Sequence, residues 1–157
     1  WDFGDSAKMA PIVKMYTLGN SFIPPPVHAG GLRYHGASPL VSILTHQKVM
    51  DTEMWHQTKI IEDGMLFAKT EGILPAPETC HAVSSAIEAA KRAKEAGEKK
   101  VILFNFSGHG FFDVKAYKEY MDHGLVEYEY PESKIKEAMN SCPDIDEEAI
   151  MKMLQGQ

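Results

Sequence analysis

Val101-Ile102-Leu103-Phe104-Asn105-Phe106-Ser107-Gly108-His109-Gly110 is the stretch whose reading decides the fold. Its first six residues are apolar except for Asn105, the pattern of a parallel strand covered on both faces. The Ser-Gly-His-Gly that follows reads as the turn at the strand's carboxyl end, where open α/β sheets bind their ligands. Gly108 and Gly110 let backbone come close to a ligand, and Ser107 offers a neutral hydroxyl at the edge. An ordinary strand-to-loop turn accounts for the same residues with no ligand at all. A nucleophile elbow does not fit, because Asn105 stands where the G-x-S-x-G frame needs glycine.

Working back along the chain, Glu78-Thr79 opens a helix with a carboxylate at its positive end. Ala82, Val83, Ala86, Ile87 and Ala90 give that helix a narrow small-residue face suited to packing on a sheet, and Gly97 is ready to end it. Before it, Ile73-Leu74-Pro75-Ala76-Pro77 is extended. Earlier still, Met54, Ile61, Met65 and Ala68 share one helical face, with Asp51 or Thr52 as its cap and Glu71-Gly72 as its end. Ser38 caps a shorter helix with Pro39 in its first position. Residues 1–36 read as loop and turn. Residues 114–123, 131–140 and 145–154 read as three more helices, the last capped by Asp144 or Asp146. The expected division is a loop segment over 1–36, a helix-and-strand part over 37–123 and a helical extension over 124–157.

A strand buried on both faces needs neighbours for its amides and carbonyls. Only weak candidates exist, around residues 13–17 and 73–74. The expected fold is therefore α/β, with helices packed on a partial parallel sheet whose other half lies elsewhere. An isolated chain of this kind is expected to be marginally stable or to self-associate. It opens at Trp1, as a processed protein or a piece of a longer one would.

A net charge of −6 argues against nucleic acid, which requires a basic face. The uncharged run over residues 15–32 contains Pro24-Pro25-Pro26, which a helix in lipid does not tolerate. Cys80 and Cys142 form no CxxC pair and read as buried or idle thiols of a reducing cytoplasm. None of the seven histidines shows metal-ligand spacing, and the methionines read as core filling. Glu78 can serve a ligand or merely complement its helix dipole. In the loop over residues 19–36, Arg33 can bind an anion or be solvated, with His28, Tyr34 and His35 beside it.

Several blocks together resemble the carboxyl-terminal part of tryptophan synthase β chains. They are FGDSA at residues 3–7, KMYTLG at 14–19, FIPPPVHAGGLRYHG at 22–36, TEGILPAPE at 70–78 and SGHG at 107–110. The HAGGLRYHG run is similar to the divergent second class of these chains. The resemblance covers Trp1 to about Met121. It implies a pyridoxal-phosphate lyase of fold type II that joins indole to the carbon skeleton of serine, giving tryptophan. By position, it implies that Ser107 hydrogen-bonds the pyridine nitrogen of the cofactor, that Glu78 lies near its ring, and that Gly108 and Gly110 shape the turn. It also implies a monovalent cation near the carbonyls of Phe22 and Pro24, a homodimer, and a tryptophan synthase α chain as an eligible partner.

Two departures stand out. Ser21 occupies a position where the family usually has aspartate, which bears on substrate preference, and Phe111 follows SGHG where histidine is frequent. No residue here matches the family's cofactor-bearing lysine or its glycine-rich phosphate loop, so no catalytic residue is assigned and the chain alone is expected to be inactive. The missing amino-terminal portion is then its first partner. Two other readings stand beside this one: a serine or threonine deaminase of the same fold, and a non-catalytic module whose apolar loop docks a partner.

Overall fold

The computed structural model describes residues 1–155, mostly helical, with one small sheet. The chain divides into two units that interleave along the sequence.

One unit comprises Trp1–Pro24, Tyr34–Asp51 and the stretch from Tyr130 onward. Its two short strands, β1 (Asp2–Phe3) and β2 (Ile12–Val13), pair antiparallel with Asp2 opposite Val13. The turn between them is held by Asp5, whose carboxylate accepts the amides of Met9 and Ala10; these bonds keep its pKa below the ordinary value. Helix α1 (Pro39–His46) begins as expected, with Ser38 Oγ accepting the Val41 amide and Pro39 in the first turn. This unit is organised around a buried carboxylate. Asp2 accepts hydrogen bonds from Thr17 Oγ1 at 2.6 Å, Asn20 Nδ2 at 2.7 Å and the Phe3 amide at 2.8 Å. Burial raises its pKa, but these bonds and the nearby His35 outweigh that, and the net direction is down.

The other unit comprises Pro25–Arg33 and Thr52–Glu129. It contains α2 (Gln57–Glu71), α3 (Pro77–Glu95) and α4 (Val114–His123), around a core of Ile60, Ile61, Cys80 and Tyr117. Gly64 decides how closely α2 and α3 approach. A Cβ there would lie 2.5 Å from Cys80 Sγ and 2.9 Å from Tyr117 Oη, so only glycine fits. Gly72 ends α2 in the left-handed region at φ 75°, and Gly97 follows α3 at φ 66°. The last two helices, α5 (Glu132–Met139) and α6 (Glu147–Leu154), belong to the first unit. Asp146 caps α6 by accepting the Ala149 amide.

The structure corrects several expectations. Helix α2 begins at Gln57, not near Asp51, and its N-cap His56 makes no side-chain cap bond. Its first turn is instead served from far along the chain: Glu127 Oε1 accepts the Thr58 amide at 3.0 Å. A cap made by tertiary contact leaves no local signature, and Met54, expected on the helix face, lies outside the helix and exposed. Of the expected face of α3 only Val83 is buried; Ala82, Ala86 and Ile87 are half-buried and Ala90 is exposed, while Thr79, Cys80 and Ser84 join Val83 on the buried side. Helices α5 and α6 are each shorter than expected.

The largest difference concerns residues 101–106. Among the described residues this stretch joins no ladder, and the sheet that exists is antiparallel and belongs to the other unit. Its side chains keep a strand's alternation: Phe104 and Phe106 pack on Phe67 with ring centroids 5.8 and 5.6 Å away, while Asn105 between them is exposed. The other face is bare, with Val101 100% and Leu103 95% exposed. The expected strand covered on both faces is thus not formed among the described residues: Phe67 covers one side of the stretch and nothing here covers the other.

Candidate functional site

The turn at residues 107–110 is fixed by the segment leading into α3. Pro75 and His109 form an antiparallel bridge, in which the Ala76 amide donates to the Gly108 carbonyl at 3.0 Å and the Gly110 amide to the Leu74 carbonyl at 2.8 Å. Gly110 is required by this approach, since a Cβ there would lie 2.4 Å from the Pro75 carbonyl oxygen. Gly108 is less confined, with Ala76 Cβ 3.6 Å from its hypothetical Cβ. Ser107 is exposed, and its hydroxyl lies 2.9 Å from Thr79 Oγ1.

Two further residues brace the turn from beneath. Thr79 is buried in the first turn of α3. Its hydroxyl accepts the Gly108 amide at 2.9 Å and lies 3.0 Å from the Gly108 carbonyl. Tyr117 on α4 donates to the Pro75 carbonyl at 2.5 Å and lies 3.2 Å from Cys80 Sγ. Burial pushes the Cys80 thiol up to about 11 and raises the Tyr117 phenol as well, so both stay protonated as donors. Sequence reasoning missed both as site residues. Thr79 looked like a helix-opening residue, and nothing local ties Tyr117 to a proline 42 positions upstream.

Glu78 stands beside Thr79 on α3, half-buried. Its carboxylate accepts the Gly31 amide at 2.7 Å, so it pins the 3-10 turn Gly30–Leu32 to the helix start. Gly31 leaves room for this, since a Cβ would come within 3.0 Å of Glu78 Oε1. One turn on, burial lowers the pKa of His81 against the opposing charge of Glu78 and favours a neutral imidazole. Ser107, Gly108, Gly110 and Glu78 thus belong to one unit, around the start of α3.

The remaining candidates sit elsewhere. His28 pairs with Glu119 on α4 at 2.9 Å, beside a cleft of about 430 Å³ lined by Gln57, His123 and Val126. Arg33 closes the 3-10 turn, its amide donating to the Gly30 carbonyl. His35 belongs to the other unit, its Nε2 2.9 Å from the Phe3 carbonyl, and Tyr34 is exposed there. Ser21 bonds to Ser141 Oγ at 3.1 Å and to the Ala138 carbonyl at 3.3 Å. Phe111 stacks on His109 with centroids 4.8 Å apart. Among the described residues no cluster of three or more His, Cys, Asp or Glu side chains can hold a metal ion. No helix there is long and apolar enough to cross a membrane.

No family model matches the chain. Individual proteins do. The chain is 54% identical over 122 residues to tryptophan synthase beta chain 2 of Methanothermobacter thermautotrophicus, a match covering 78% of this chain and 28% of the relative. It is 55% identical over 124 residues to tryptophan synthase beta chain 2 of Aquifex aeolicus, covering 79% and 28%. With the tryptophan synthase beta chain of Thermococcus onnurineus it shares 52% over 129 residues, covering 82% and 29%. The resemblance read from the sequence is borne out, and the chain spans about 28% of the length of the first of these curated relatives.

Proposed function

We propose that this chain is the carboxyl-terminal portion of a pyridoxal-phosphate lyase of the tryptophan synthase β type, contributing one wall of the cofactor site. The complete protein would join indole to L-serine by β-replacement, in the cytoplasm, as a homodimer that can take a tryptophan synthase α chain. In this reading residues 101–106 are a strand of a fold-type II parallel sheet whose neighbours come from polypeptide outside these 157 residues. The lysine that holds the cofactor and the phosphate-binding loop come from there too.

The observation that carries the proposal is the Ser107 hydroxyl, exposed at the edge of a glycine turn and braced from below by Thr79. These residues fit the group: a neutral hydroxyl with hydrogen-bonding capacity to spare suits a pyridine nitrogen, and the turn is held firmly enough to present it. When bound, the cofactor supplies an electron sink for bond-breaking at the amino acid's α and β carbons. Ser107 orients its ring at the nitrogen without imposing a proton, as an aspartate would, which favours elimination and replacement over transamination. Glu78 holds the 3-10 turn Gly30–Leu32 over the start of α3 and offers a carboxylate near the ring. Gly108 and Gly110 keep the turn low enough for Ser107 to stand proud. The carbonyls of Phe22 and Pro24 are proposed for a monovalent cation, since carbonyl oxygens suit a hard ion.

A second reading rests on Ser21, where the resembled family usually has aspartate: a lyase of the same fold that eliminates water from serine or threonine and releases ammonia. The complete protein, given serine and indole, is expected to form tryptophan. Pyruvate and ammonia without tryptophan would overturn the first reading in favour of the second. Ser107→Ala in the complete protein is expected to lower turnover while most of the cofactor stays bound; undiminished turnover would refute the role given to Ser107.

A further inference from the structure

Thr79 has one proton and two oxygen atoms within reach of it, Ser107 Oγ at 2.9 Å and the Gly108 carbonyl at 3.0 Å. The Gly108 carbonyl already accepts the Ala76 amide at 3.0 Å, whereas Ser107 makes its one bond inside the turn to Thr79. As an acceptor, Thr79 is engaged by the Gly108 amide at 2.9 Å. Thr79 is 1% exposed, so water does not compete for the proton.

The two possible assignments differ in what Ser107 shows to the outside. If Thr79 gives its proton to Gly108, Ser107 must donate inward and presents only lone pairs. If Thr79 gives it to Ser107, the serine keeps its own proton for an outward partner. Because Gly108 is already served, the second arrangement leaves fewer acceptors wanting.

We infer that Thr79 is a positioning residue that donates to Ser107 and so makes the serine a hydrogen-bond donor toward the ring nitrogen, which is thereby held unprotonated. This rests on the reading of Ser107 given above. Thr79 touches neither cofactor nor substrate; it acts through the serine, by fixing both its rotamer and the direction of its proton.

The test uses the complete protein loaded with pyridoxal phosphate labelled at its ring nitrogen. Its readouts are the nitrogen chemical shift, its pH dependence, and the dissociation constant of the cofactor. Thr79→Val is expected to move the nitrogen resonance away from the wild-type position, in the same direction as Ser107→Ala. It is also expected to weaken cofactor binding about tenfold, the worth of one hydrogen bond. Thr79→Ser, which restores the hydroxyl, is expected to return both readouts to wild type. A wild-type resonance and affinity in Thr79→Val would overturn the inference, as would a failure of folded Thr79→Ser to rescue. Should valine at this position prevent folding, Thr79→Cys, a poorer donor of similar size, is expected to shift the resonance in the same direction; no shift would overturn the inference equally. If Ser107→Ala itself leaves the resonance unmoved, the reading of the site fails, and that outcome is distinct from a failure confined to Thr79.

Discussion

Residues 101–112 and the three-helix core of α2, α3 and α4 belong to the same unit, and both are rich in large apolar side chains. In the core, Ile60, Ile61, Cys80 and Tyr117 meet one another and are buried. Along 101–112, Val101, Leu103 and Phe112 stand in solvent, and among the described residues 101–106 join no ladder. The same composition therefore has two outcomes: one region closes on itself, and the other leaves large apolar side chains in solvent.

Substitutions at the two regions should separate them. Ile61→Ala empties a fully buried position and is expected to cost ~2–5 kcal/mol in urea melts of residues 1–157. Gly64→Val drives a side chain into Cys80 and Tyr117 and is expected to cost ~1–3 kcal/mol or more. Leu103→Ala is expected to change the stability of the same chain by less than ~0.5 kcal/mol, as at other exposed positions. In the complete protein the Leu103 substitution should rise to the scale of Ile61→Ala. A Leu103 that matters equally in both contexts would erase the contrast. Leu103→Asp should also lower self-association of the isolated chain in sedimentation, because it charges the bare apolar face.

A pH dependence follows from Cys80. Its thiol is raised to about 11 by burial, against ~8.5 in an unfolded chain. The unfolded state therefore loses its proton first, and stability falls as pH rises from ~8.5 toward about 11. Melts of wild type and Cys80→Ala across that range should converge as pH rises; a constant gap would show that the thiol titrates alike in both states.

Much of this contrast was legible in the sequence, because apolar periodicity and turn chemistry are local. Ser38-Pro39 at the start of α1 and Gly72 and Gly97 beyond α2 and α3 did what those residue types do. The continuous apolar run ending in SGHG reads as a buried strand, whereas among the described residues it joins no ladder and leaves Val101 and Leu103 exposed. What escaped was tertiary. The cap of α2 comes from Glu127, the brace under Pro75 from Tyr117, and the closeness of α2 to α3 from Gly64, a glycine in mid-helix that propensity alone would count as a defect. Around the candidate site, Ser107 and Glu78 were picked out by residue type and position. Thr79 was passed over, because its importance lies in three atoms that reach it from 28 and 29 residues away.

Amide hydrogen exchange at residues 101–106, compared between residues 1–157 alone and the complete protein, tests the central claim most directly. Rapid exchange in the isolated chain and strong protection in the complete protein are expected, since the missing polypeptide would supply the partner strands. Equally rapid exchange in both would contradict the account.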